Sequence, residues 1–311
     1  MSEGNDALGR EPDDAGTVAV VGSMNMDFVV RVARLPGAGE TVSGDDVFRN
    51  PGGKGANQAV ATARLGRTVE MIARVGEDDP GRALVAALRA DGVGVEHVRV
   101  DPRVPTGAAF IAVDDGGENQ IVVSAGANRL VSAQDVERAA PVLGRAAVTL
   151  LQLEVPLEAV GAAAEAARGL VVLNPAPVRE VPASLLSLVD VLVPNRVELA
   201  QLAGGRPPSS TEEAARLAAS LPVRAVVVTL GADGALLVEG DRSVPIAPVP
   251  VRAVDTTAAG DAFCGALADA LVRSESLEAA ARWAARVAAV ACTRPGAQAS
   301  LPSREEVLAT V

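Results

Sequence analysis

Residues 148–174, VTLLQLEVPLEAVGAAAEAARGLVVLN, decide the fold: a β-branched run, an alanine-rich segment and a second β-branched run follow one another without interruption. Short runs of Val and Leu suit buried strands, and the alanine-rich piece suits a helix, so this is one strand–helix–strand unit. Working outward, residues 18–21, 69–73, 189–193 and 225–229 also read as strands among alanine-rich stretches. That rhythm predicts an α/β fold of three layers, a mostly parallel central sheet flanked by helices on both faces. Such sheets bind ligands beyond the carboxyl ends of their strands. Asn25, Glu154, Asn174, Asn195 and Thr229 fall at or just past those ends. Residues 28–48 and 106–124 break the rhythm, with strand-like alternation, glycine turns and no helix, and are expected to be antiparallel excursions from the main sheet.

Composition removes several classes of function. The 311 residues, 49% hydrophobic, supply ample core for one large or two medium domains. A net charge of −11 and the lack of a Lys/Arg cluster argue against a nucleic-acid surface. No apolar run reaches the roughly 18 residues of a membrane span, and residues 1–16, polar and acidic, are expected to be a disordered tail rather than a targeting peptide. Cys264 and Cys292 sit in apolar helical contexts and are expected to be reduced thiols of a cytoplasmic protein. The single histidine, His97, belongs to a strand-edge pattern, which removes histidine triads.

Two motifs carry the chemistry. Residues 254–266, VDTTAAGDAFCGA, place Ala258, Ala259 and Gly260 at the start of a long apolar helix with Asp261 in its first turn. Free N–H groups at a helix start favour phosphate, and small residues let it approach the backbone. A carboxylate there serves to take a proton from an attacking hydroxyl; alternatively it complements the helix dipole. Residues 52–58, GGKGANQ, also feed a helix through a glycine-rich turn. Gly55 after Lys54 excludes a Walker A loop, and Gln58 stands where a dinucleotide fingerprint needs its third glycine. A tight turn before a helix is the plain alternative.

In this order and about two hundred residues apart, the two motifs resemble the ribokinase family of carbohydrate kinases. So do GSMNMD at 22–27, GETV at 39–42, GEN at 117–119, AGAN at 125–128, LQLE at 151–154, LNPAP at 173–177, PNRVE at 194–198, TLG at 229–231 and TRPGAQ at 293–298. The likeness spans residue 17 to the C-terminus. It implies one kinase domain over 17–311 with a small β lid, segments about 28–50 and 104–126, that excludes water from a sugar. It implies ATP-dependent phosphorylation of D-ribose, with Asp261 as general base. Asn25, Asp27, Gly53, Lys54, Asn57 and Glu154 match the sugar-binding positions. Taken singly, Asn25 also suits a turn, Lys54 a solvated surface, and Glu154 the cap of the following helix.

For the nucleotide, the resemblance implies Asn195, Thr229, Gly231, Gly234, Ala258, Ala259, Gly260 and Ala285, with Glu198 organising magnesium; hairpin glycines and a first-turn helix acid are the plain alternatives for 229–234 and 198. It also implies a potassium site at Asp255, Thr257, Ala291, Arg294, Gly296 and Ser300, mostly through backbone carbonyls, and a homodimer paired through the lids. Two positions depart from the pattern: Pro51 precedes the glycine turn, and Ala285-Arg286 stands where relatives often place His or Asn near adenine. With no Tyr, one Trp and four Phe, the chain lacks the aromatic platforms of a nucleoside kinase. A non-catalytic sugar-binding regulator on the same fold is the rival from another class, and a nicotinamide dehydrogenase lacks its glycine fingerprint.

Overall fold

The computed structural model describes residues 16–310; the expected disordered tail, Gly16 excepted, lies outside them. The first strand, β1 (Thr17–Val21), leads directly into β2 (Asn25–Arg31) and β3 (Phe48–Gly52), then α1 (Lys54–Arg64), β4 (Thr68–Gly76), α2 (Asp79–Ala90) and β5 (Val93–Asp101). Next come β6 (Gly107–Val113), β7 (Asn119–Ser124), α3 (Ala133–Arg138), α4 (Ala140–Arg145), β8 (Val148–Gln152), α5 (Leu157–Ala166), β9 (Leu170–Asn174), α6 (Ala183–Leu186) and β10 (Val191–Leu192). The chain closes with α7 (Arg196–Leu202), α8 (Thr211–Ala219), β11 (Ala225–Thr229), β12 (Ala235–Glu239), β13 (Arg242–Ile246), α9 (Ala259–Val272), α10 (Leu277–Ala291) and α11 (Arg304–Thr310).

Nine strands form the main sheet in the order β13-β12-β11-β10-β9-β8-β1-β4-β5. From β11 to β5 every pairing is parallel, and all six strands expected from β-branched runs belong to it. The hairpin of β12 and β13 adds an antiparallel edge that the sequence reading missed. β13, RSVPI, mixes polar residues with apolar ones, whereas β12, ALLVE, carries an apolar run like that of β11 that the reading of the sequence passed over.

Each interior strand is apolar on both faces because helices cover both. Val18 and Val20 enter one core with α1, α9 and α10, while Ala19 and Val21 enter a second core with α3, α5 and α8. His97 lies on β5, the outermost strand, as expected.

A second sheet of four strands, β3-β2-β6-β7, covers one side of the strand ends. Here the expectation of antiparallel excursions needs correcting. Each local hairpin is antiparallel, but the hairpins join through β2 and β6, which run parallel from Asn25↔Gly107 to Arg31↔Val113. A parallel pairing of segments eighty residues apart leaves no local turn signal. Pro51 sits on β3, an edge strand, the place in a sheet where proline is tolerated.

Candidate active site

Two helices set the geometry. Gly53, before α1, has φ +90°, and a Cβ there would lie 2.7 Å from the Asn25 nitrogen, so glycine alone lets this turn close against β2. α9 starts after Ala258, also left-handed at φ +58°, a conformation that costs a non-glycine residue about 1–2 kcal/mol. The helices run side by side in one direction: Asn57 and Gln58 meet Asp261, Thr62 meets Gly265, and Arg67 beyond α1 meets the buried Asp269. Gly265 permits the approach, since a Cβ there would stand 2.6 Å from that of Ala61. Parallel neighbours aim both N-terminal partial positive charges at one cleft.

The two N-termini end differently. At α1, the Glu154 carboxylate accepts the Lys54 N–H at 3.0 Å and the Ser23 hydroxyl. Glu154 therefore caps a helix a hundred residues away rather than α5, whose N-cap Pro156 carries no side-chain bond. At α9 no side chain caps the helix, and a Cβ on Gly260 would meet open space. Its first turn thus presents backbone N–H groups without intrahelical partners.

Between them lies Asp261, only 6% exposed. Its Oδ2 accepts from Asn57 Nδ2 at 2.9 Å and its Oδ1 from Gln58 Nε2 at 3.1 Å. Burial raises its pKa, while Lys54 and the two amide bonds pull against that rise. Burial also disfavours the Lys54 ammonium, yet Asp261, Glu154, Glu198 and Cys264 outweigh it and hold the pKa above the ordinary lysine value. Asp27, on β2, is pushed up to about 7 by burial and by Glu154. Burial raises Glu198 as well, against the Asn195 N–H that it accepts. Four acids thus share the cleft with one lysine, a balance that suits a polyphosphate arriving with a cation better than a bare one.

Residues 15–304 match the pfkB family carbohydrate kinase. The chain belongs to the pfkB family of carbohydrate kinases. Among its relatives, the ribokinase of Haemophilus influenzae is 39% identical over 94% of this chain and 97% of that protein. The deoxyribokinase of Salmonella typhi is 38% identical over 93% and 96%. The structure of Arabidopsis thaliana ribokinase complexed with ribose and ATP superposes with a TM-score of 0.85 at 34% identity, covering 94% of this chain and 98% of that one.

Within this pfkB-family framework the positions expected for the sugar, Asn25, Asp27, Gly53, Lys54, Asn57 and Glu154, lie around the α1 end of the cleft. Asn25 and Asp27 follow the first strand and lie on β2 of the second sheet. Asn25 Oδ1 accepts from Asn128 Nδ2 at 2.7 Å. On the far side, Asn195 and Glu198 form a capping box at the start of α7, so the plain alternative for Glu198, a first-turn helix acid, holds structurally. The loop from Thr229 to Gly234 is the β11–β12 hairpin turn; Thr229 bridges Asn195, and Gly231 and Gly234 have positive φ. Ala285 is half-buried on α10 against the core.

The positions expected for potassium come from two loops that the fold joins. Val254 and Asp255 donate N–H to the Cys292 carbonyl, and Asp255 accepts from Thr257 and from the Gly296 N–H at 2.8 Å. Those bonds hold its carboxyl below the ordinary range against burial. Ala291 ends α10, Ser300 is buried, and the Arg294 guanidinium turns away to Glu306.

The sequence reading gives no role in the site to Ser23, Asn128 or Gln152, and takes Gln58 only as a missing fingerprint glycine. For Gln152 a signal existed: a polar residue closing the apolar β8.

Proposed function

We propose that this pfkB-family chain transfers the γ-phosphoryl group of ATP to the primary hydroxyl, O5, of D-ribose, giving D-ribose 5-phosphate and ADP for ribose catabolism or salvage. The observation that carries the reading is Asp261: a buried carboxylate in the first turn of an uncapped helix, bonded by Asn57 to the helix of the glycine turn. Sugar and phosphate elements meet at this one group.

In this reading Asn25, Asp27, Gly53, Lys54, Asn57 and Glu154 hold the sugar, offering the mixed donors and acceptors that vicinal hydroxyls need. The Asn57 Oδ1, buried without a partner, is free to accept a sugar hydroxyl. Asp261 takes the O5 proton as that oxygen attacks the γ-phosphorus in line, the bond to the β-phosphate oxygen breaks and ADP leaves. The backbone around Ala258 to Gly260, with Ala258 and Ala259 leaving room and the Gly260 N–H as the donor, receives the charge on the transferring group; the Ala259 N–H already donates to the Thr256 carbonyl at 3.2 Å. Asn195, Thr229, Gly231, Gly234 and Ala285 lie toward the nucleotide. Mg²⁺ held with ATP through Glu198 supplies charge neutralisation, and the hard oxygen donors here suit it. The loops of Asp255, Thr257, Ala291, Arg294, Gly296 and Ser300, drawn together around an ionised carboxylate, suit K⁺. Substituting Na⁺ is expected to lower the rate, and equal rates in both salts would remove that part of the reading.

The small sheet acts as the lid. It exposes Phe48, Phe110, Ile121, Val122 and Val123, each more than half accessible, which supports pairing of two lids in a homodimer. Sedimentation that yields a monomer at micromolar concentration would count against the pairing. No helix among the described residues is long and apolar enough to cross a membrane, and we place the enzyme in the cytoplasm.

ADP release from Mg-ATP with D-ribose, 2-deoxyribose, fructose or adenosine, in potassium buffer, tests the assignment. Ribose-dependent turnover with little from adenosine is the expected outcome. Preference for 2-deoxyribose, the acceptor named for a relative 38% identical against 39% for a ribokinase, would keep the mechanism and change the acceptor. Silence with all four would favour a sugar-binding regulator.

A further inference from the structure

Asp261 is reached from behind by a chain of neutral amides. Gln58 is fully buried; its Nε2 donates to Asp261 Oδ1 at 3.1 Å and to Asn174 Oδ1 at 3.3 Å. Its Oε1 accepts from Gln152 Nε2 at 2.6 Å. Gln152 closes β8, is itself fully buried, and lies so near Gly22 that a Cβ there would stand 2.0 Å from Oε1. Asn174 closes β9, and its Nδ2 donates to the Val193 carbonyl at 2.9 Å. The ends of two central strands therefore dictate which way the Gln58 amide points: with Oε1 occupied by a donor, its NH₂ must face the carboxylate.

We propose that Gln58, oriented by Gln152 and Asn174, is a positioning residue for the phosphoryl transfer, holding the Asp261 carboxylate in the rotamer that presents an oxygen to the attacking hydroxyl. This rests on Asp261 being the base. Four buried amide and carboxylate groups are costly to gather, the more so because Gln152 Oε1 is buried with no partner, and an apolar filling of the same volume would serve packing alone equally well. The chain is also uncharged. An arginine in place of Gln58 would pair with the carboxylate and weaken it as a base, whereas an apolar residue would leave burial unopposed and favour the protonated acid. A neutral donor favours the ionised form against burial without neutralising its charge. The other charged and titratable groups facing Asp261 are Lys54 on α1, Glu154 after β8, Glu198 on α7 and Cys264 one turn along α9. None of them is altered by changing Gln58.

The test compares wild type, Gln58→Met and Gln152→Met at saturating ATP, following kcat and the sugar KM against pH, with the Asp261 carboxyl carbon titrated by NMR in the free enzyme. Gln58→Met is expected to lower kcat about 10- to 100-fold, as small misplacements of a reacting group do, with KM within about threefold. The acid limb of kcat and the NMR titration should both move up by about one pH unit, the scale of one lost bond to a charged group. Gln152→Met, which keeps Gln58 and frees its amide, should move both the same way by less. Unchanged kcat and an unmoved titration in a folded Gln58→Met protein would overturn the proposal, as would a loss of melting temperature and KM with the acid limb in place. If Gln58→Met unfolds, an unmoved limb in Gln152→Met overturns it. A shifted NMR titration beside an unshifted rate profile would instead show Asp261 not to be the base, which separates the two failures.

Discussion

The N-termini of α1 and α9 lie side by side and point into the same cleft, yet the protein completes one and leaves the other open. At α1 the Glu154 carboxylate already occupies the helix end. At α9 the cap residue is alanine, held left-handed, with nothing but space before Gly260. In the proposed reading, the difference lets one device serve two ligands. A neutral sugar needs fixed charges and hydrogen-bonding groups built in advance, whereas an anionic phosphoryl group needs a helix end that the protein has not itself neutralised.

The strongest test of this contrast acts on the group between the two helix ends. Asp261→Asn keeps the shape and removes the base, so kcat should fall by roughly 10² to 10⁴ while sugar affinity, measured by calorimetry, changes little. A variant retaining more than a tenth of wild-type turnover would end the assignment. Uncharging the closed end comes next. Glu154→Gln should raise the sugar KM about 10- to 100-fold through weakened bonds to a charged group, with a smaller change in the ATP KM. Equal effects on both substrates would mean that the two ends are not specialised.

Closing the open end is the converse experiment. Ala258→Asp, a residue tolerated in the left-handed region, places an acid before α9 and should raise the ATP KM about tenfold with the ribose KM unchanged. An unaltered ATP KM would show that the anion sits elsewhere. The smallest effect is a pH dependence at the sugar end. Asp27 has a folded pKa of about 7 against an ordinary 3.8, so the folded protein keeps a proton that the unfolded chain loses between those values. That stabilisation is complete below the unfolded value and is lost as pH rises through 7. Melting temperature should therefore decline across this window, and Asp27→Asn should flatten the decline; a parallel curve for the variant would exclude Asp27 as the source.

Much of this was legible beforehand. The six interior strands announced themselves because a strand buried on both faces must be apolar throughout, and the two glycine- and alanine-rich helix starts because phosphate and close turns exclude side chains. The pairing of β2 with β6 was not legible, since a parallel match of distant segments leaves no turn between them. Nor was the amide chain behind Asp261. Gln58 looked like a missing glycine and Gln152 like a strand end, because nothing local distinguishes a glutamine that will face a carboxylate from one that will face water.

The sequence by itself determined the class of fold, the two glycine- and alanine-rich helix starts and the acid proposed here as base, because periodicity, backbone freedom and side-chain chemistry are properties of neighbouring residues. Tertiary structure alone decided that Glu154 closes α1 and that Gln58 and Asn57 hold Asp261, contacts spanning a hundred and two hundred residues. The contacts to Asp261 depend on how closely α1 and α9 can approach, and that distance is set by packing at Ala61 and Gly265 rather than by any pattern along the chain.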